Sequence, residues 1–255
     1  MPDKNPVQSA ERIFQVLEAL AKNGPTSLTE LSAELRLSKS TTHRMLNSLT
    51  VMGYVKKDET SGKYELSFKI LEIAGRLLER VDILPIAHKY LEQLMKQTHE
   101  TIHFVQRDGS SIVYVDKVES DANSIRMVSR IGLRLPMFCT GVGKAMLAEM
   151  PEKKVEEIWG RSKIRPYTEH TITDLGSLFR ELELIRKRGY ALDNEENELG
   201  VRCIAACVRD YSGKANNAFS ISAPISRMSD ERIQELSAYV LQTKRDLSRE
   251  LGFRF

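Results

Sequence analysis

The chain has 255 residues, enough for one large domain or two modest ones, with 41% hydrophobic and 29% charged residues. No apolar run reaches the length of a membrane helix, and the first twenty residues carry Asp3, Lys4, Glu11 and Arg12 where a secretory signal would be apolar. With only three cysteines (Cys139, Cys203 and Cys207), these features argue against a membrane-spanning chain or a secreted disulfide scaffold and predict a cytoplasmic globular protein with reduced thiols.

In chain order, residues 9–22 place Ile13, Phe14, Leu17, Leu20 and Ala21 at helical spacing, and Asn23-Gly24-Pro25 ends the run. Ser27 and Glu30 form a capping box before Leu28, Leu31 and Leu35, which predicts a short second helix. Ser38 offers an N-cap for a third helix with Met45, Leu46, Leu49 and Met52 on its apolar side, and Gly53 stops it. Two short helices joined by a tight turn form a helix-turn-helix. Tyr54-Val55 and Tyr64-Glu65-Leu66, separated by eight polar or small residues from Lys56 to Lys63, read as a two-stranded wing.

The net charge of +3 is too small to identify a nucleic-acid partner, so its distribution matters more. Residues 1–65 hold nine Lys or Arg against eight Asp or Glu, yet the five cations Arg36, Lys39, Arg44, Lys56 and Lys57 fall in the 35–57 segment with no acid. The predicted fold puts that basic patch on the second helix of the helix-turn-helix and on the wing.

Residues 68–81 space Phe68, Leu71, Ala74 or Gly75, Leu78 and Val81 at roughly heptad intervals, as a linker helix and dimer seam would. Pro85 opens a helix with the stripe Ala87, Leu91, Leu94, Met95 and Thr98. Strands are then expected at 102–106 and 112–118 around Asp108-Gly109-Ser110, and at 125–131. Helices follow at 143–150, 151–160 and 173–188, strands at 190–193, 202–209 and 216–223, and a last helix from Ser229 to Leu251. This divides the chain into a winged domain at 1–67, a linker at 68–83 and a mixed α and β domain at 84–255.

The sequence resembles the IclR family of bacterial transcription regulators over essentially its whole length. The resemblance rests on LSKSTTHRMLNSLTVMGYV (37–55), TIHFVQRDGSSIVYVDKVES (101–120), GLRLPMFCTGVGKAMLA (132–148), GYALDNEENELGVRCIAACVRD (189–210) and AFSISAPISRM (218–228). It implies an α+β fold: an N-terminal winged helix-turn-helix, a linker helix, and a C-terminal GAF/PAS-like α/β sensing domain on a largely antiparallel sheet. It also implies homodimers or dimers of dimers that bind a pseudo-palindromic operator on double-stranded DNA and answer to a small-molecule effector, with a repressor as the default.

For the DNA contact, a recognition helix presents its N-terminal turns to the major groove. Here those turns carry Ser38, Lys39, Ser40, Thr41, Thr42, His43 and Arg44, and Lys56 and Lys57 reach from the wing. Arg44 can pair with guanine through two hydrogen bonds, and short hydroxyls suit phosphates or base edges.

In the second domain, Ser220 and Ser222 alternate with Phe219, Ile221 and Ala223 and so share one strand face. Asp193 ends one strand and Cys203 begins another, while Gly141 and Gly143 in the loop before a helix would let backbone N–H groups approach a carboxylate. The family's ligand-contacting positions match Met127, Leu135, Gly141, Val142, Asp193, Cys203, Ser220 and Ser222, with Val142 and Phe138 bulkier than usual. A small organic or sugar acid is the expected effector, small aliphatic acids ranking first, and no cofactor is expected.

Two other classes of function find less support in the residues. Asp193, Glu195, Glu196 and Glu198 with Cys203 could make a metal-responsive site, but they lack zinc-motif spacing. A cysteine-dependent enzyme would pair Cys139, Cys203 or Cys207 with His88, His99, His103 or His170, and no paired motif supports it.

Overall fold

The structure, a computed structural model, describes residues 7–78, 83–120 and 129–254. The chain forms two compact units, Met1–Val81 and Asp82–Phe255.

The first unit comprises α1 (Gln8–Asn23), α2 (Leu28–Glu34), α3 (Lys39–Val51), β1 (Val55–Lys57), β2 (Tyr64–Leu66) and α4 (Lys69–Leu78). Its helix starts are the ones the polar residues dictate. Ser27 and Glu30 close a reciprocal capping box on α2, and Ser38 Oγ accepts from Thr41 N at 3.2 Å to open α3. Gly53, at φ +80°, turns the chain out of α3 into the wing. The antiparallel wing pairs Val55 with Leu66, and Thr26 bridges Tyr64 as a third edge.

The core of this unit joins Val16, Ala19 and Leu20 of α1 to Leu31, Leu46, Leu49, Val55 and Tyr64. Here the α1 stripe differs from its expectation. Val16 and Ala19 turn inward with Leu20, whereas Phe14 and Ala21 are exposed. Spacing alone could not separate these two faces, because residues 13–21 carry apolar groups on both.

The second unit has α5 (Ile83–Thr98), β3 (Thr101–Asp108), β4 (Ser111–Val118), β5 (Arg134–Pro136), α6 (Gly141–Leu147), α7 (Glu152–Arg161), α8 (Leu175–Arg188), β6 (Ala191–Asn194), β7 (Val201–Val208), β8 (Asn217–Pro224) and α9 (Asp230–Glu250). Its six strands form one antiparallel sheet in the order β5-β4-β3-β8-β7-β6. Each face buries its own core. Ile102, Phe104, Ile204, Ala206, Phe219 and Ile221 face the helices α5 and α9. Val105, Ala205, Cys207, Ala218 and Ala191 face α6, α7 and α8. Asp174 and Ser229 cap α8 and α9 through their side chains, so α8 begins at Leu175, two residues later than expected.

The strand expected at 125–131 is not found where it can be seen. Residues 125–128 lie outside the described residues, and 129–131 are not extended ladder. The edge strand is instead Arg134–Pro136, which pairs with Val113 to Ser111 of β4. Pro136 is tolerated there because an edge strand needs no donor on its open side. Among the described residues, no helix is long and apolar enough to cross a membrane.

Candidate DNA-reading face and effector cavity

Residues on α3 divide by the helical period. Thr42, Leu46 and Leu49 point into the core, so Lys39, Ser40, His43 and Arg44 are left exposed on the opposite side. Ser38 is also exposed, and its hydroxyl is held by Ser40 Oγ at 3.0 Å and Thr41 Oγ1 at 2.8 Å. Thr42 is a correction to the expected set. It is fully buried, and its Oγ1 donates to Ser38 O at 3.2 Å, so it is fixed inside the unit instead of being presented to DNA. One residue was missed: Asn47 is exposed four positions after His43 and three after Arg44, on the same side. An Asn can pair twice with adenine. The i+4 spacing from His43 was the signal.

On the wing, Lys56 Nζ lies 2.9 Å from Glu65, and Lys57 Nζ lies 5.9 Å from the centre of the Tyr64 ring. Both are exposed. Lys69 fastens the start of α4 to the end of α3: its Nζ donates to Met52 O at 2.7 Å and sits over Tyr54. The neighbouring apolar residues Phe68, Leu71 and Ile73 are exposed, while the seam positions from Ala74 to Val81 lie outside the described side chains.

In the second unit the sheet face toward α6 changes from apolar to polar along its strands. The ladder register places Asp193 opposite Cys203, Cys203 opposite Ser222, and Ser222 opposite Thr101. The neighbouring row runs through Ala191, Ala205, Ser220 and His103. Because all these residues obey the strand's period of two, one face collects a carboxylate, a thiol, three hydroxyls and an imidazole. Asp193, Cys203, Ser222 and His103 of this set border a cavity of about 130 Å³, closed further by Tyr114, Ser129, Leu135 and Glu198.

The sequence-predicted residues fall into three groups. Leu135, Asp193, Cys203 and Ser222 line the cavity. Ser220 is buried beside it, with its Oγ 3.2 Å from Ser222 Oγ. Gly141 and Val142 do not line it; both are buried in the first turn of α6. Met127 lies outside the described residues.

Packing decides the glycines. A Cβ on Gly141 would stand 3.3 Å from Ala205 Cβ, and one on Gly143 would stand 2.2 Å from Met137 O. The loop-to-helix turn requires glycine at 143 for its own backbone, and this corrects the expectation that Gly141 and Gly143 open a path for a ligand.

His103 is the chief addition. Its Nδ1 is 3.2 Å from Ser222 Oγ and its Nε2 2.6 Å from Ser129 Oγ, with the ring edge-on to Tyr114 at 5.0 Å. Burial, aided by the cation of Lys117, pushes its pKa down to about 3, so it is a neutral hydrogen-bonding group. Asp193 Oδ1 accepts from Glu196 N at 2.9 Å and Asn197 N at 3.4 Å. Burial, then the nearby Glu196 carboxylate, pushes Asp193 up to about 7 against the pull of Lys144 and these N–H groups. Burial raises the Cys203 thiol far above its ordinary range and takes Cys139 to about 12, which leaves neither as a nucleophile. Among the described residues, no three His, Cys, Asp or Glu side chains converge in a way that could hold a metal.

Asp193 and His103 oppose each other in acid stability. Folded Asp193 keeps a proton from about pH 7 down to its ordinary 3.8, so its contribution to stability falls as pH rises through that window. Folded His103 refuses a proton between its ordinary 6.5 and about 3, so its contribution is lost as pH falls. Asp193→Asn removes only the first effect. That variant is therefore expected to lose stability against the parent as pH drops from 7 to 4, by up to about 1.4 kcal/mol per unit. Urea unfolding at three pH values checks this, and parallel curves for the two proteins would refute the assignment.

Comparison with known proteins gives a consistent result for both units. Residues 75–249 match the family model "Bacterial transcriptional regulator IclR C-terminal", and residues 9–59 match "IclR helix-turn-helix domain". The chain is 39% identical over 253 residues to the HTH-type transcriptional regulator KdgR of Escherichia coli (strain K12), covering 98% of this chain and 96% of that one. It is 35% identical over 254 residues to the transcriptional repressor IclR of the same organism, covering 98% and 92%. The crystal structure of the Thermotoga maritima IclR superposes with a TM-score of 0.65 at 36% identity, covering 96% of this chain and 99% of that one.

Proposed function

Since this chain belongs to the IclR family of bacterial transcriptional regulators, which are not enzymes, we propose that it is a cytoplasmic repressor that releases its operator when a small organic or sugar acid enters the C-terminal cavity. The observation that carries this reading is the exposed face of α3, where Lys39, Ser40, His43 and Arg44 stand together on a segment without a single acid. A capped helix held by three buried residues gives that face a fixed geometry, which base reading requires.

Two such helices, related by the symmetry of a homodimer or a dimer of dimers, would enter successive major grooves of a pseudo-palindromic operator. The exposed apolar residues Phe68, Leu71 and Ile73 at the start of the linker suit a seam between subunits. The ligand would act by favouring one arrangement of the winged units over another, through a helix that Lys69 ties to α3.

Ser222, His103 and Asp193, which line the cavity, would hold the hydroxyl or carbonyl oxygens of a compact polar ligand. A thermal-shift screen of the full chain against small carboxylic and sugar acids tests the ligand class, since a ligand of the folded state raises the melting temperature by mass action. Ser222→Ala should weaken the binding of any hit about five- to tenfold, the value of one hydrogen bond of about 1 kcal/mol. A hit that binds parent and variant equally places the ligand elsewhere, and no shift across the panel contradicts the acid.

A further inference from the structure

A second groove, separate from the effector cavity, runs between the β3–β4 hairpin, the edge strand β5 and the loop after α7, and has a volume of about 410 Å³. Its walls carry Arg134, Arg161, Lys163 and Arg165, all exposed, and no Asp or Glu lines it among the described residues. The lining thus gathers four cations and no acid in a chain whose net charge is only +3, a local excess of positive charge.

The existing contacts account for part of this charge and leave the rest. Arg134 is paired with Asp108, outside the lining. Arg161 sits in the last turn of α7, where a cation complements the helix dipole, one turn after a Glu157 that Lys154 already engages at 2.8 Å. Lys163 and Arg165 lie beyond the helix, so the dipole does not explain them. Lys163 makes no hydrogen bond or ion pair among the described residues. Arg165 lies over the Tyr167 ring, its guanidinium carbon 4.7 Å from the ring centre, and makes no ion pair among the described residues. Tyr167 is itself fixed, with its N–H donating to Thr171 Oγ1 at 3.0 Å and its ring beside Phe138. The hydroxyls of Ser110 and Ser111 complete the wall, unengaged among the described residues.

We propose that this groove binds a phosphorylated small molecule, a phosphate monoester, as a second ligand of the C-terminal unit. A phosphate group brings close to two negative charges and three acceptor oxygens, which matches several cations and free hydroxyls better than a single carboxylate does. The concavity has the size of a small-molecule site. The groove shares only Leu135 with the effector cavity, so the two sites can be tested apart.

The test is phosphorus NMR of glucose 6-phosphate and of inorganic phosphate, titrated with the full chain at low salt. Saturable line broadening is expected for the ester, weakened at least about tenfold by the double variant Arg161→Ala, Lys163→Ala, given the worth of charge-assisted hydrogen bonds. Arg165→Ala should weaken it several-fold, and Ser222→Ala should leave it unchanged. Both groove variants change exposed side chains, and an unaltered melting temperature shows that they fold. Broadening for inorganic phosphate alone identifies a free-phosphate site and overturns the monoester assignment. The proposal also fails if nothing saturates, if the double variant binds like the parent, or if glutarate, a dicarboxylate, competes as well as phosphate does.

Discussion

Lys144→Ala is expected to destabilise the C-terminal unit by about 3–5 kcal/mol, the usual cost of leaving one member of a buried ion pair alone. Lys144 is 1% exposed in α6, and its ammonium is bonded to the carboxylate of Glu196, also buried. Removing the cation leaves a carboxylate whose second oxygen, Oε2, already has no partner among the described residues. Burial holds the Glu196 pKa above its ordinary value even with Lys144 present, so the variant's loss should shrink at low pH, where Glu196 takes a proton. The effect should reach the cavity as well. Glu196 N donates to Asp193, and the carbonyls of Glu195 and Glu196 are held by Thr168 and Thr171 hydroxyls, so this segment positions the cavity's carboxylate. Replacing both partners, as Lys144→Met with Glu196→Leu, should cost far less than the single change. Urea unfolding of the three variants checks this. A single-variant loss under about 1 kcal/mol would show that water reaches the pair.

Arg44→Ala is expected to lower operator affinity about five- to 150-fold, the 1–3 kcal/mol of a two-bonded base contact, with no change in melting temperature. Arg44 is exposed and makes no hydrogen bond or ion pair among the described residues. Thr42→Ala should do the reverse, lowering stability through a lost buried hydroxyl contact. Fluorescence anisotropy on one duplex, with a melting curve for each variant, separates the two. Equal affinity of the Arg44 variant and the parent would remove this side chain from the reading face.

The helix boundaries of the first unit could be read from the sequence because single residues decide them: Ser27, Glu30, Ser38 and Gly53 each satisfy or terminate a local backbone requirement. Which apolar residues of α1 face inward could not be read, because that depends on how α1 meets α3 and the wing. The cavity was half legible. Alternation gave Ser220 and Ser222 a common face, but the register that sets Asp193, Cys203 and Ser222 in one row is a property of the assembled sheet. His103 stood in view as a scattered histidine; its role follows only from β3 lying beside β8. Lys144 falls in the helix expected at 143–150 with nothing near it in sequence to mark it as buried, and a partner 52 positions away, Glu196, takes it inside. Long-range pairing of this kind leaves no local signature.

The most direct test of an operator-reading protein is selection from a random duplex DNA pool by the full chain, with the Arg44→Ala chain in parallel. The parent is expected to enrich an inverted repeat, its half-sites centred about one helical turn (~34 Å) or a multiple apart, and the variant to enrich little or none. No enriched sequence, or the same sequence enriched equally by both chains, would contradict it.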